Sequence, residues 1–443
     1  MLTTAKRAIA ALSTDILPTA LCQPTDYISQ IKASKDQHVT AEALRNMINL
    51  EGAGNWPPNA SHRNSWPTVL RPYHDIFLEL APLLPSVNAC ADVTINQIRR
   101  EEYRMRLQKL LQDRVDLAAI ESLLLSSKAN GNPPLSRDAC NGFFACIGYL
   151  RHGFRWATVP IVKVAQEEKI IDFPPELNIP WDFLRRKYGV KSPGGNITSN
   201  FHCNFDANEQ LVYQVNSGMP EPVPSAEYHF AQSFRKTEKQ SLPVYYHLVQ
   251  SIISFDNGQI RDCNEHLRAL NEYLRSAIRV YYNQTVSSKI PHSIFVPYLQ
   301  GFHGWAAGDV ADGHYTEYDG LSGGHLILFN LLDLFLGLNT FLPEEDFVKY
   351  VPARQREFLQ SVKNHAFRAR AKEEGKVELE KQFNGIASQM RIFRSAHRKR
   401  TRQYLSNDRP ERKPMTAGGS TMNTKDVVEF VDESLKTKMK DTV

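Results

Sequence analysis

The chain has 443 residues, of which 42% are hydrophobic and 23% are charged. These proportions are typical of a folded globular protein and exclude a largely disordered one, while the length predicts two domains rather than a single core. With 53 basic and 48 acidic side chains, the net charge of +5 is too small to indicate nucleic-acid binding by itself.

The spacing of the cysteines and the length of the apolar runs further narrow the possible classes of protein. The six cysteines are scattered, with no C-x-x-C pair and no zinc-like spacing, so we expect free thiols in a reducing compartment. The longest apolar run, residues 326–338, contains Asn330 and Asp333 and is too short to cross a bilayer. The N-terminal apolar run is interrupted by Thr14 and Asp15, which is poor for a secretory signal. We therefore predict a cytoplasmic monomer without a membrane span.

Helical spacing of apolar residues predominates along the chain. It predicts helices over residues 41–50, 66–84, 95–111, 117–126, 138–150, 180–188, 242–255, 262–282, 324–338, 377–405 and 424–439. Strand signals are weak, so the predicted fold class is all-α. We expect a smaller N-terminal helical domain, which with an irregular linker takes in residues 1–233, and a larger C-terminal helical domain in residues 234–443.

Residues 234–253 place a histidine near a predicted helix start. Ser241 is a plausible N-cap and Pro243 fits a first helical turn, so the helix should begin there. His247 then lies one turn inside, beside Tyr246. Such a histidine is either a packing residue or a catalytic group.

Residues 318–338 join a glycine turn to a helix that is apolar nearly all the way round, which indicates burial on every side. Asp333 inside this helix needs a cation or several donors, unless it occupies a wet edge, and Arg394 and the His397 ring are the candidate partners. Ser322 and Gly323 in the turn are placed to present backbone amides to an anion such as a propionate or a carboxylate, although most such turns are only turns.

Residues 379–405 carry the strongest chemical signal. The large apolar residues step by four and three, which is the spacing of one buried helical face, and His397 continues that step. The histidine is either a core residue bonded to a carbonyl or carboxylate, or a ligand of a metal or heme iron, because neutral imidazole on a rigid helix is a common iron ligand. Neighbouring arginines, Arg394 among them, are suited to heme propionates.

These stretches, in this order, resemble the indoleamine 2,3-dioxygenase family. The resemblance rests on FRSAH before a long basic helix, on YVPARQREFL at 350–359, and on the small-residue turn followed by an apolar helix with an aspartate. It spans residues 176–439 and fades toward the N-terminus. It implies heme b as the cofactor, His397 as the ligand of its iron and Arg394 beside a propionate, with Ser322, Gly323 and Asp333 around the cofactor.

The resemblance also implies a substrate pocket. His247 falls where the family carries a serine or histidine above the iron, with Tyr246 on the same face. HSIFVPYLQGFHGW at 292–305 resembles the helix in which the family places a phenylalanine and an arginine. In this register Ile294 takes the phenylalanine position and is followed by Phe295, while Leu299 replaces the arginine.

Two more segments resemble parts of the family's pocket. Residues 176–190, ELNIPWDFLRRKYGV, resemble the segment that leads to the roof of the distal side. TAGGST at 416–421 resembles the glycine loop beside the substrate and contributes Gly418 and Gly419.

The implied function is a heme-dependent dioxygenase that inserts the co-substrate O2 across the indole C2–C3 bond of tryptophan or a related indole, giving a product of the N-formylkynurenine type. His247 is expected to hydrogen-bond the indole N–H or the oxygen as a neutral imidazole. Because leucine cannot bind a carboxylate, Leu299 favours an alternative in which the same fold acts on a modified indole. A non-catalytic O2-binding heme protein, and a basic interaction protein in which residues 394–402 form only a surface patch, are the remaining hypotheses.

Overall fold

The structure is a computed structural model. It describes residues 24–34, 37–86, 90–126, 135–305, 307–311, 313–318, 320–340 and 342–405, together with 415–416, 419–421, 429, 432–433 and 435–437. These residues are overwhelmingly helical, which confirms the predicted all-α class.

The described residues of the first half of the chain form eight α-helices. They are α1 (Pro24–Ala33), α2 (Val39–Asn46), α3 (Arg71–Leu80), α4 (Val93–Arg114), α5 (Leu117–Ser126), α6 (Arg137–Trp156), α7 (Lys163–Glu167) and α8 (Pro175–Tyr188). Short 3-10 turns occupy Arg63–Ser65, Thr68–Leu70 and Ala81–Leu83, and π-helical turns occupy Met47–Glu51 and Thr198–His202.

The second half contains the longest helices. They are α9 (Val223–Asp256), α10 (Ile260–Gln284), α11 (Ile327–Phe335), α12 (Glu344–Tyr350), α13 (Ala353–His365), α14 (Arg368–Glu373) and α15 (Val377–Leu405). Between α10 and α11 lie the helical turns His292–Ile294, Phe295–Gln300, Gly301–His303 and Gly323–His325. α10 packs along α9 on one side and against α15 on the other.

Two small antiparallel hairpins escaped the sequence analysis. Strand β1 (Ala307–Ala311) pairs with β2 (His314–Tyr318), and β3 (Met415–Thr416) pairs with β4 (Gly419–Thr421). Gly313 in the first turn has φ +77°, a conformation that favours glycine, so the Asp-Gly pair at 312–313 was the available signal.

The helix start predicted at Ser241 is wrong, because α9 begins at Val223 and continues through Pro243 to Asp256. The Ser241 hydroxyl donates to the Thr237 carbonyl at 2.7 Å, one turn back in the same helix. Proline cannot donate to the carbonyl four residues earlier, that of Lys239, but Lys239 is exposed and water can bond its carbonyl. The helix therefore tolerates Pro243, because the carbonyl that loses its hydrogen bond is on the side that faces solvent.

Two large hydrophobic cores share α9, and its first residues also join a third, small core. Its first half, with Phe234, belongs to a core built mainly from α3 to α8, whereas its second half, from Leu242, packs with α10, α11, α13 and α15. Tyr27 and Trp56 from the N-terminal region join the second core. The boundary predicted at 233/234 thus falls inside one continuous helix, and each core draws residues from both sides of it.

Helix α6 is the centre of the first core, and every residue from Ala139 to Trp156 is buried. Small residues allow this burial, since a Cβ at Gly142 would overlap the carbonyl oxygen of Ser61. Arg151, buried in the same helix, donates to the carbonyls of Pro193 and Leu177.

Among the described residues, no helix combines the length and the apolar composition that a membrane span requires. The cysteines described are free thiols: Cys90, Cys140, Cys146, Cys203 and Cys263.

Gly142→Ala tests the close packing of α6. Because a backbone carbonyl blocks the new methyl group, we expect a loss of about 1–3 kcal/mol in the free energy of unfolding, measured by urea denaturation. Gly148→Ala in the same helix is the matched control, since its nearest obstacle is the Asn200 side-chain oxygen at 3.3 Å, which can shift. Equal unfolding midpoints for the two variants would contradict the packing described.

Candidate active site

His397 lies on α15 and faces α10. Its Nδ1 is 3.1 Å from the Tyr281 hydroxyl, and its ring stacks on Phe393 with centroids 5.7 Å apart. Burial, followed by the charge of Arg400, lowers the pKa of His397 to about 4, so the imidazole is neutral near pH 7. Residue His397 as a whole is half-buried. Nε2 makes no hydrogen bond to any residue that the structure describes.

A buried ion pair holds the helix that carries His397. The Arg394 guanidinium donates through Nη2 to Oδ1 of Asp333, and the two side chains are only 5% and 1% exposed. The pairing expected from the sequence is therefore present, and Asp333 does not occupy a wet edge. Phe329 of α11 stacks on Phe393 of α15 at 4.2 Å, beside the ion pair. Together these contacts fix α11 against α15.

In the glycine turn before α11, backbone amides donate to side chains of the same turn. The Gly324 amide donates to the Ser322 hydroxyl at 3.0 Å, and the Ser322 amide donates to Nδ1 of His325 at 2.9 Å. At least two backbone amides are therefore used inside the turn, which leaves fewer for an anion than the sequence suggested. Gly323 faces α9, because the nearest atom to a Cβ built there is a ring carbon of Phe234 at 4.0 Å.

Glu238 joins α9 to the start of α11, and the sequence analysis did not identify it. Its carboxylate accepts hydrogen bonds from Trp56 Nε1 at 3.0 Å, from the Tyr245 hydroxyl at 2.5 Å and from the Leu328 amide at 3.4 Å. Burial raises the pKa of Glu238 despite these donors. The available signal was spacing, since Glu238 follows Phe234 by one helical turn and so shares its buried face.

An aromatic cluster lies where α9 meets the segment before β1. We define it as Phe201, Phe230, Phe234, Phe295 and Tyr404. The Phe201 and Phe234 rings stack at 4.3 Å, Phe230 contacts Phe234 at 5.2 Å and Phe295 at 5.6 Å, and Phe295 contacts Tyr404 at 4.9 Å.

Two predicted substrate residues belong to this part of the molecule. Phe295 is a member of the aromatic cluster, and Leu299 is 1% exposed in a small apolar core with Tyr404, against which Phe230 and Phe295 pack. The structure thus brings Phe295 and Leu299 together, although they are four residues apart in a distorted helical segment.

His247 and Tyr246 lie elsewhere. Nε2 of His247 is 3.3 Å from the Tyr27 hydroxyl, and its Nδ1 is 3.0 Å from Nδ1 of His266. Tyr246 contacts the same Tyr27 ring at 5.2 Å. Thirteen residues separate Phe234 from His247, so the two side chains point about 140° apart around the α9 axis. Both His247 nitrogens have partners in the structure, Tyr27 and His266, and its catalytic role stays a prediction.

The glycine loop is only partly described. Gly418 lies outside the described residues. Gly419 begins β4, opposite Thr416 of β3. Its predicted contact with substrate stays a prediction.

The residues around His397 fit a heme group. A neutral imidazole with Nδ1 beside a hydroxyl, and with Nε2 making no hydrogen bond to a described residue, suits a metal-ligating histidine. Arg394 lies one helical turn before His397, and a guanidinium with five N–H donors can bind a carboxylate and a propionate together. The aromatic cluster would supply flat apolar walls to a site that excludes water.

Comparison with known proteins gives one match. The sequence model of the family described as indoleamine 2,3-dioxygenase matches residues 194–442, more than half of the chain. A search of curated proteins found no significant match. The matched region begins in the glycine turn after α8 and includes α9 to α15.

Asp333→Ala tests the ion pair. Removing the carboxylate leaves a buried guanidinium without its counter-charge, so we expect a loss of about 3–5 kcal/mol in the free energy of unfolding and weaker heme retention. Combining Asp333→Leu with Arg394→Met should recover most of the stability, because it removes both charges. Asp75→Ala is the control, since the Asp75–Arg63 pair is 41% and 43% exposed and should contribute little. Wild-type stability in Asp333→Ala would contradict a buried, paired carboxylate.

Proposed function

The chain belongs to the indoleamine 2,3-dioxygenase family, and on that premise we propose that it is a heme-dependent dioxygenase acting on an indole. The proposed reaction inserts both atoms of O2 across the indole C2–C3 bond of tryptophan or a related indole, giving a product of the N-formylkynurenine type. Both oxygen atoms enter the product, so no external reductant is consumed in each turnover. The observation that carries the proposal is the His397 imidazole, whose Nδ1 is 3.1 Å from the Tyr281 hydroxyl and whose Nε2 makes no hydrogen bond to a described residue.

His397 would hold the heme iron through Nε2. With the Tyr281 hydroxyl accepting from Nδ1–H, the proton would stay on Nδ1 and the Nε2 lone pair would be left for the metal. Arg394 is placed one helical turn before His397 and would bind a propionate while Asp333 holds its guanidinium. When bound, heme supplies the iron centre at which O2 is activated.

The aromatic cluster would bind the indole ring. Flat apolar rings favour offset or edge contacts with an aromatic ligand and keep water out of the pocket. The predicted substrate residue Phe295 is a member of the cluster, and its Phe230 and Tyr404 contacts fix its ring. These side chains would orient the indole, and substrate orientation is a contribution to catalysis that the protein itself must supply.

Leu299 favours a substrate that does not depend on its carboxylate. Leu299 is buried among apolar side chains, where it offers no charge-assisted bond. Arg235 does not replace the missing arginine, because it donates to Glu209 at 2.9 Å and to the His202 carbonyl at 2.6 Å. His303 is neutral, since burial lowers its pKa to about 3. A modified indole is therefore the second candidate substrate beside free tryptophan.

His397→Gly should abolish most heme binding, because the iron loses its protein ligand. The measurement is the Soret band of the purified protein and its heme-to-protein ratio. Added imidazole should restore the band by filling the space that the side chain left. His365→Ala, at the far end of α13, is the control and should retain full heme. A normal Soret band in His397→Gly without imidazole would show that another residue ligates the iron.

Leu299→Arg tests the substrate assignment. For the native protein we expect a small ratio of kcat/KM for L-tryptophan over tryptamine, which lacks the carboxylate. An arginine at this position should raise the ratio roughly tenfold or more through a bidentate bond. Leu299→Met keeps the apolar character and should leave the ratio unchanged. If the native protein already prefers L-tryptophan by several orders of magnitude, Leu299 does not border the carboxylate and tryptophan is the substrate.

A further inference from the structure

Two histidines and an aspartate from distant parts of the sequence lie close together where α2 begins and where α9 and α13 end. His38 directly precedes α2, Asp256 is the last residue of α9, and His365 is the last residue of α13. Nε2 of His38 is 3.4 Å from Oδ2 of Asp256, and Nδ1 of His365 is 3.9 Å from the same oxygen. The two nitrogens and the oxygen all lie within 4.8 Å of one another. The proposed heme and indole sites use none of these residues.

The spacing of the three atoms suits ligands around one ion better than hydrogen-bond partners. A hydrogen bond between nitrogen and oxygen is normally about 2.7–3.2 Å long, so both histidine nitrogens are farther from Asp256 than in an ordinary bond. His38 is not a charged partner either, because burial lowers its pKa and leaves the imidazole neutral near pH 7. Ligand atoms arranged tetrahedrally around zinc are roughly 3.4 Å apart, and the distances from Oδ2 are close to that value.

The charges around these side chains favour a cation. Both α9 and α13 end here, and the C-terminus of a helix carries a partial negative charge. The Asp256 carboxylate adds a full negative charge at the end of α9, where the helix dipole disfavours it. Arg370 donates to Oδ1 of this carboxylate at 3.1 Å, but its side chain is 49% exposed and screens the charge only in part. The bond to Oδ1 also orients the carboxylate, so that Oδ2 faces the histidines, as expected for a ligating group held by a neighbour.

Other contacts already hold the three backbone segments in place. The Thr40 hydroxyl is 2.9 Å from the Ser361 hydroxyl, which ties the start of α2 to α13. The Phe255 and Phe367 rings stack at 4.3 Å, which ties the end of α9 to the segment that follows α13. A metal site needs ligands on rigid, preorganised elements, and these contacts provide that support.

We infer that His38, Asp256 and His365 bind a divalent transition metal ion of the zinc class. Two imidazole nitrogens and one carboxylate oxygen suit zinc, whereas calcium and magnesium prefer oxygen ligands. The three side chains are 16%, 28% and 33% exposed in that order, so water can fill a fourth position. The bound ion would link α2, near the start of the described chain, to α9 and α13. The inference does not depend on the proposed reaction.

Metal binding requires a change of tautomer at His38. Its Nδ1 accepts from the Thr40 amide at 3.1 Å, so the neutral ring carries its proton on Nε2. When the ion takes the Nε2 lone pair, that proton moves to Nδ1 and the bond to the Thr40 amide is lost. The loss of one helix-cap bond weakens binding by about fivefold, which is small beside the affinity that several protein ligands provide.

The test titrates zinc into the purified full-length protein after free divalent ions have been removed with EDTA. Calorimetry measures the stoichiometry and Kd, and we expect one zinc ion per chain at this site. His365→Ala and Asp256→Asn should each weaken zinc binding by about 100-fold or more, because changes to residues that only support a ligand already cost 10- to 100-fold. X-ray absorption at the zinc edge should show nitrogen and oxygen ligands at about 2.0–2.2 Å and no sulfur at about 2.3 Å.

His38→Asn separates the metal ligand from the helix cap. Asparagine is among the best residues at a helix start, so this variant keeps the cap of α2 while it removes the imidazole. We expect it to fold as the wild type does and to lose zinc affinity as His365→Ala does.

His229→Ala is the matched control. His229 is a half-buried histidine whose Nδ1 is 3.0 Å from the Gln284 side-chain oxygen, and it lies roughly 40 Å before Asp256 along α9. Because it removes one histidine without touching the three ligands, it should keep the wild-type Kd for zinc.

The inference is overturned if the wild type binds zinc no more tightly than His365→Ala, if His229→Ala loses as much affinity as the ligand variants, or if the bound zinc has a sulfur neighbour. Should His365→Ala not fold, Asp256→Asn and His38→Asn decide, and a wild-type Kd in both rejects the site. Zinc binding that depends on the three ligands, in a protein without heme or indole oxidation, would reject the proposed reaction alone.

Discussion

The ion pair between Arg394 and Asp333 is the interaction on which the arrangement of the site depends. Each charge lies in a dry interior, where it is tolerated only with the other beside it. Together with the Phe329–Phe393 stack, the pair therefore holds α11 against α15. His397 lies three residues after Arg394, and the glycine turn directly precedes α11, so the ligand and the turn are placed by the same contact.

The buried polar groups include some with hydrogen-bond partners and some without. Most are fully bonded, as Glu238 is by three donors and His152 is by two backbone groups. Nε2 of His397 makes no hydrogen bond to a described residue, and Nδ1 of His303 is buried without a partner. Burial lowers the pKa of both imidazoles, so both are neutral near pH 7. A neutral imidazole offers a lone pair, which an iron ion requires. Buried polar atoms without a partner also occur away from the proposed site, as at His202.

The family match begins at residue 194, yet the site is built on elements that precede it. Helix α6 holds the glycine turn after α8, because Arg151 donates to the Pro193 carbonyl and His152 accepts from the Gly195 amide. His152 also contacts the carbonyl of Phe302, the residue before His303. The N-terminal residues are therefore part of the support of the site. Leu299, where the resemblance departs from the family, lies in the small apolar core with Tyr404, against which Phe295 packs.

The sequence by itself determined the features that follow from local pattern. Apolar spacing gave the bounds of α15 and the inward direction of His397, because an amphipathic helix must bury its apolar stripe. The rule that a buried carboxylate needs a cation predicted Arg394 as a partner of Asp333, because the apolar residues of both helices indicate that the helices are buried. The order of the motifs along the chain then indicated the resemblance to the family.

Only the tertiary structure decided which neighbour each face meets. Helix α9 is apolar on different faces in its two halves, and it turns Phe234 toward the aromatic cluster and His247 toward Tyr27. The sequence could not show this, because it placed the helix start at Ser241 and so lost the phase between the two halves. His303 lies in a short helical turn without periodicity, where no pattern indicates burial. Periodicity states that a face is buried, whereas the partner of that face depends on contacts between residues far apart in the chain.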